Sequence, residues 1–168
     1  MFTSRFQVAY AGSMLLLFCV VAFFTRATPR RIACALCSVA VFTALSAPID
    51  TVGLRTGLWT YPSCIDPPHP PLLAYVGQAL EFVGCIALVG WRVQRRFGRR
   101  GVAALAAVVC ALGAVRDFSV AAALPQMMHM GPLPGSLIAD VVAWGIVVSV
   151  ALGVMRIVSG PAPSDPLR

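Results

Sequence analysis

Residues 136–158 read SLIADVVAWGIVVSVALGVMRIV. At about 1.5 Å per residue, a helix over this stretch exceeds the ~30 Å hydrocarbon core of a bilayer. Apolar residues surround the whole helix instead of forming one stripe, so no aqueous face is left. The stretch carries one acid, Asp140, about a turn inside its first end, and one cation, Arg156, near its last. Such a segment is predicted to span a membrane.

Four further stretches satisfy the same criterion or come close, over about residues 6–24, 32–49, 72–91 and 102–120. Pro48 is predicted to end the second. The chain has 168 residues, of which 59% are hydrophobic and 11% charged, with mean hydropathy +0.85. Soluble domains carry roughly 25% charged residues, so the solvent for this surface is lipid. The expectation is an all-α membrane protein: one domain over residues 1–159, a five-transmembrane-helix bundle, and a proline-rich, disordered tail over 160–168. The first apolar run follows Arg5 as in a signal peptide. No small-x-small cleavage site follows it, and it reads as a retained span.

All thirteen basic side chains are arginines, and most lie in short runs between spans. A nucleic-acid surface is therefore not indicated, and membrane topology accounts for them. Arg26, Arg30 and Arg31 separate the first two spans, and Arg92, Arg95, Arg96, Arg99 and Arg100 separate the third and fourth. Positive loops stay in the cytoplasm. The N-terminus is thus predicted outside and the C-terminus cytoplasmic, in a multi-pass protein of the cell inner membrane. Five of the six cysteines lie in apolar segments, and Cys34-x-x-Cys37 falls in a helix without further ligands. Neither a disulfide framework nor a metal centre follows from that pattern. In the fourth span, Ala103, Ala107 and Ala111 form one small-residue row, and Ala106, Cys110 and Ala114 another; such rows allow close helix contact.

On this topology the remaining ionisable groups collect at the outer end. Asp50 closes the second span, Arg55, Asp66 and His69 lie in the loop after it, and Arg116 with Asp117 end the fourth. His129 lies in the next loop, and Asp140 is about a turn inside the fifth span. Adjacent on one helix, Arg116 and Asp117 are predicted to point apart and to pair across helices, Arg116 with Asp50, Asp140 or Glu81. Glu81 alone falls near mid-bilayer, where an unpaired carboxylate costs several kcal/mol and is a functional candidate by default. Gln78 and Cys85 share its helix face at α-helical spacing, and Gly77 and Gly84 leave room beside it. The loop of residues 50–71 carries Gly53, Gly57, Trp59, Tyr61 and a run of prolines. Its aromatic rings suit the headgroup level, and the loop is predicted to fold over the helix ends as a cap.

The string Asp50-x-x-Gly53-x-x-x-Gly57-x-Trp59-x-Tyr61-Pro62, at the end of an apolar helix, resembles an acid–glycine–aromatic signature. Small membrane-integral cyclases carry it, namely lycopene-cyclase-domain proteins and spirocyclases of avermectin type. The resemblance covers about a dozen residues, with Glu81 as the acid of the following helix; the paired acids of the lycopene-cyclase group are absent, since Phe82 follows Glu81. It implies acid/base catalysis on a lipophilic substrate with neither metal nor organic cofactor.

The leading expectation is then a cofactor-independent cyclase or isomerase acting on an isoprenoid or polyketide-like molecule. Glu81 would serve as general acid, with Asp50 or Asp140 as conjugate base or cation stabiliser. Arg55, Gln78, Arg116 and Asp117 would hold the polar part of the substrate, and Trp59, Tyr61 and Trp144 would line the pocket. Two other classes use the same residues. A transporter or ion-binding module would require a homo-oligomer of so few helices, and an assembly factor would dock its small-residue faces on another membrane protein.

Overall fold

The computed structural model describes residues 4–64 and 68–160, without the side chains of Ser4 and Phe6. The expected disordered tail from residue 161 onward and Asp66 lie outside the described residues. The described chain is all-α apart from two short strands. Helix α1 covers Ser4–Phe24, α2 Pro29–Thr56, α3 Leu72–Gln78, α4 Cys85–Ala123 and α5 Gly135–Ser159. A π-helical turn, Ala79–Gly84, joins α3 to α4; β1 is Trp59–Thr60 and β2 is His129–Met130. Four helical stretches are long and apolar enough to cross a membrane: Gln7–Phe24, Pro29–Thr56, Leu72–Ala123 and Gly135–Ser159.

The expected third and fourth spans therefore belong to one helical stretch with no arginine loop between them. Helix runs through Arg92, Arg95 and Arg96 and is broken at Gly98, with φ 61° and ψ −151°. That conformation is essentially confined to glycine. In a straight helix Gly90 and Leu105 would stand ~22 Å apart. Here a Cβ built on Gly90 would lie 3.2 Å from Leu105 Cδ2, so the two arms fold back on each other.

Helix α2 also departs from expectation. It does not end at Pro48 but continues to Thr56, with Pro48 inside it. Proline removes one backbone donor, and helices tolerate that loss when neighbouring packing holds them. The end is set by Gly57, in the left-handed region at φ 69°, whose N–H reaches the carbonyls of Gly53 and Leu54. As a result Asp50 lies inside the helix, and Arg55 is on its last turn, not in the loop.

Packing divides the bundle into two halves. Near the Gly98 turn, Phe18, Cys34, Ala35, Val83, Ala87, Trp91, Ala151 and Met155 form a closed core. Ser38 fastens α2 to α5 there, its hydroxyl donating to Cys34 O at 3.2 Å and Ala151 O at 3.3 Å. Cys34 is buried and Cys37 exposed, so the pair shares no site. Of the two small-residue rows, Ala106, Cys110 and Ala114 turn inward, while Ala103, Ala107 and Ala111 are exposed.

At the other end, the loops after α2 and α4 are stitched together. Strands β1 and β2 pair antiparallel, Trp59 opposite Met130 and Thr60 opposite His129. Gly131 N donates to Leu58 O at 2.8 Å, and Ser136 Oγ donates to Gly131 O at 2.8 Å. A Cβ on Gly131 would stand 2.1 Å from Gly57 O, so only glycine permits this approach.

Candidate functional site

Beneath the stitched loops lies a cavity of about 140 Å3, walled by α2, α3, α4, α5 and β1. Each wall contributes a polar group. From α2 comes Asp50, 8% exposed, whose carboxylate collects three donors. Trp59 Nε1 and Tyr61 Oη donate to Oδ1 at 3.1 and 3.0 Å, and Tyr75 Oη donates to Oδ2 at 2.5 Å. Two of these donors sit in or beside β1 and one on α3, so Asp50 ties the loop to the bundle. Burial and the neighbouring Asp50 carboxylate hold the Tyr61 phenol well above its ordinary range. Tyr61 accordingly remains a donor at neutral pH.

The opposite wall repeats this arrangement. Trp144 on α5 donates from Nε1 to Asp117 Oδ2 at 2.9 Å. In both cases the indole ring packs directly against a glycine near its acid. A Cβ on Gly53 would meet the Trp59 ring at 2.0 Å, and one on Gly113 would meet the Trp144 ring at 2.2 Å. Gly53 stands three residues after Asp50, and Gly113 four before Asp117, each about one helical turn away.

Arg116 and Asp117 bond to each other, contrary to the expectation that adjacent residues would pair across helices. Arg116 Nη1 donates to Asp117 Oδ1. Its guanidinium lies 4.7 Å from the centre of the Phe82 ring, and Phe82 packs edge-on against Trp144 with centroids 4.8 Å apart. Beside this pair stands Asp140, 4% exposed, whose carboxyl group interacts with that of Asp117. Its Oδ2 is buried without a hydrogen-bond partner. Asp140 lines the cavity, and a buried polar atom without a partner calls for an explanation.

The structure thus brings together eight of the ten residues proposed from sequence: Asp50, Trp59, Tyr61 and Gln78 on one side, and Arg116, Asp117, Asp140 and Trp144 on the other. It leaves out Glu81 and Arg55. Glu81 sits in the π-helical turn and accepts a hydrogen bond from Tyr10 Oη at 3.1 Å, facing α1. The reason is periodicity. An i→i+5 turn takes more residues per revolution than an α-helix, so Glu81 is rotated away from the face of Gln78. Phe82 takes its place on the cavity wall. Cys85 likewise leaves that face, and its thiol donates to Leu80 O at 3.4 Å. Arg55 is exposed on the outer turn of α2 and does not line the cavity.

Sequence reasoning missed Tyr75, which makes the shortest bond to Asp50. Its signal was present: Tyr75 precedes Gln78 by three residues and shares its face. Ser46, one turn before Asp50, and Met128, from the Met-rich loop, were also missed as lining residues. His69 Nδ1 lies 3.0 Å from Pro70 O, and His129 is exposed on β2. Among the described residues no three His, Cys, Asp or Glu side chains are grouped so as to hold a metal ion.

No family model matches the chain, and neither a curated protein nor a solved structure shows significant similarity to it. The site's chemistry is therefore read from its own residues.

Proposed function

We propose that this chain is a cofactor-independent acid/base cyclase or isomerase of the cell inner membrane, acting on a lipophilic substrate of isoprenoid or polyketide kind. The observation that carries the reading is the set of three buried carboxylates, Asp50, Asp117 and Asp140, facing one aromatic-walled cavity at the looped end of the bundle. Five crossings are proposed, with the reversal at Gly98 dividing Leu72–Ala123 into two antiparallel spans. The arginines around that turn then face the cytoplasm, the N-terminus lies outside and the C-terminus inside.

In this reading Asp140 is the general acid. Two carboxyl groups in contact share a proton more readily than they carry two negative charges, and Asp140 has the unpartnered oxygen. It gives its proton to an alkene or carbonyl of the substrate. The electron deficiency that develops is stabilised by the faces of Trp59 and Trp144. A carbon–carbon or carbon–oxygen bond closes, or a double bond shifts. Asp50 then takes a proton from the substrate and gives it up to water, and Asp140 regains one from water. The product is an isomer of the substrate, so the cycle balances without an oxidant or reductant. Glu81 becomes a structural acid in this scheme, and Arg116 orients the substrate's polar group.

The test is the Asp140→Asn variant, expressed in a strain lacking the native protein. Its lipid extract is expected to lose the product and accumulate the precursor, whereas Glu81→Gln retains product. Normal product from Asp140→Asn removes the catalytic assignment.

The unpartnered Asp140 Oδ2 also favours a second reading, a module that binds or carries protons or cations as a homo-oligomer. Proton flux into vesicles containing the purified protein, absent in Asp140→Asn, would select that reading over the enzyme.

A further inference from the structure

A second cavity, of about 150 Å3, adjoins the first. Gln7 and Tyr10 on α1, Ala74 on α3 and Val120 on α4 help to wall it. Tyr61, Gln78, Arg116 and Met128 line both cavities and form the partition between them. Helix α1 contributes to the second cavity and not to the first.

Their chemistry differs. Asp50, Asp117 and Asp140 line the first cavity, whereas no Asp or Glu lines the second. Most of its wall is apolar, and such a void forfeits dispersion contacts when empty. It is stable when an apolar chain fills it. At the partition stand the Gln78 amide and the Arg116 guanidinium. A guanidinium has five N–H groups in a fixed fork, and the Arg116 side chain is 40% exposed even with one nitrogen bonded to Asp117. Donors therefore meet at the boundary between an acidic chamber and an apolar one.

We infer that the two cavities are halves of one binding site for an elongated lipophile that bears an oxygen function, carbonyl or hydroxyl, partway along its chain. The oxygen sits on Arg116 and Gln78, one arm lies among the carboxylates, and the other, unreactive arm lies in the second cavity beneath α1. Calling the first arm the reacting one rests on the function proposed above; the seating of the molecule does not.

The experiment is photo-crosslinking of the full-length protein in membranes. The probe is a long-chain ketone with its carbonyl near mid-chain and a diazirine at one end; the control is the diazirine hydrocarbon of equal length. The ketone is expected to label Ala74, Val120 and Met127, mapped by mass spectrometry. Val120→Phe fills the second cavity and is expected to lower labelling there about tenfold, equivalent to about 1.4 kcal/mol of binding. Met127→Phe, on a loop, repeats the test where folding is not at stake. Arg116→Gln is expected to reduce ketone labelling to the hydrocarbon's level. Labelling is read without turnover, so a failure of the catalytic reading and a failure of this one are distinguishable. Equal labelling by ketone and hydrocarbon, unchanged in Arg116→Gln, would mean that a lipid tail occupies the cavity and would overturn the proposal. Cross-links confined to the exposed Val8, Leu16 and Phe23 would overturn it as well.

Discussion

Trp59 and Trp144 solve the same problem on opposite walls of the cavity. A carboxylate buried in a membrane protein needs donors, and an indole supplies one N–H on a large apolar plate. The plate needs room beside the helix, and Gly53 and Gly113 provide it. Adding one methyl group at Gly113 would displace the Trp144 ring and break its bond to Asp117. Gly113→Ala is therefore expected to destabilise the protein by about 1–3 kcal/mol, read as a lower midpoint of thermal unfolding in detergent. An unchanged midpoint would show that the indole has another seat. Tyr75→Phe keeps the ring and deletes the 2.5 Å bond to Asp50. Hydrogen bonds to charged groups contribute about 1.5–3 kcal/mol, so a loss in that range is expected by the same measurement.

Tyr61 gives a pH dependence. Its folded pKa lies above that of an unfolded tyrosine, about 10. Its contribution to stability is then fully present below about pH 10 and is lost as pH rises through the folded value. Alkaline unfolding of Tyr61→Phe is expected to be less steep than that of the wild type. Identical alkaline transitions would show that Tyr61 makes no such contribution.

Among the elements, two glycines carry the turns that place the site. Gly98 holds a conformation that only glycine adopts readily, and the chain reverses there. Gly98→Ala is expected to cost about 1–3 kcal/mol and to lower the yield of folded protein in membranes. A variant of wild-type stability and yield would contradict a sharp reversal. Gly131 lets the two loops meet over the cavity. Gly131→Ala is expected to part β1 from β2 and expose Trp59, which a rise in quenching of tryptophan fluorescence by iodide would report.

At the scale of the whole molecule, the all-α class and the gathering of ionisable residues at the looped end of the bundle were legible in the sequence. Both depend on where apolar and ionisable residues fall, and lipid imposes that pattern strongly. Details of local winding were not legible. Pro48 is the strongest stop signal in α2, yet the helix passes through it because packing and a later glycine decide its end. Glu81 falls on the face of Gln78 under α-helical counting, and the π-helical turn removes it. The partnership of Arg116 with its own neighbour depends on the bend of a long side chain, which spacing does not encode. Tyr75 was visible by its spacing from Gln78 and was overlooked because a lone tyrosine in an apolar helix resembles core.

Under the proposed function, carboxyl groups in this cavity pass a proton through the substrate. Membranes containing the protein, supplied with the lipid extract of a strain that lacks it, can be incubated in D2O and the new product weighed by mass spectrometry. The wild type is expected to form a product carrying solvent deuterium, and Asp140→Asn membranes are expected to form none. A product formed without deuterium, or formed at the wild-type level by Asp140→Asn, would contradict it.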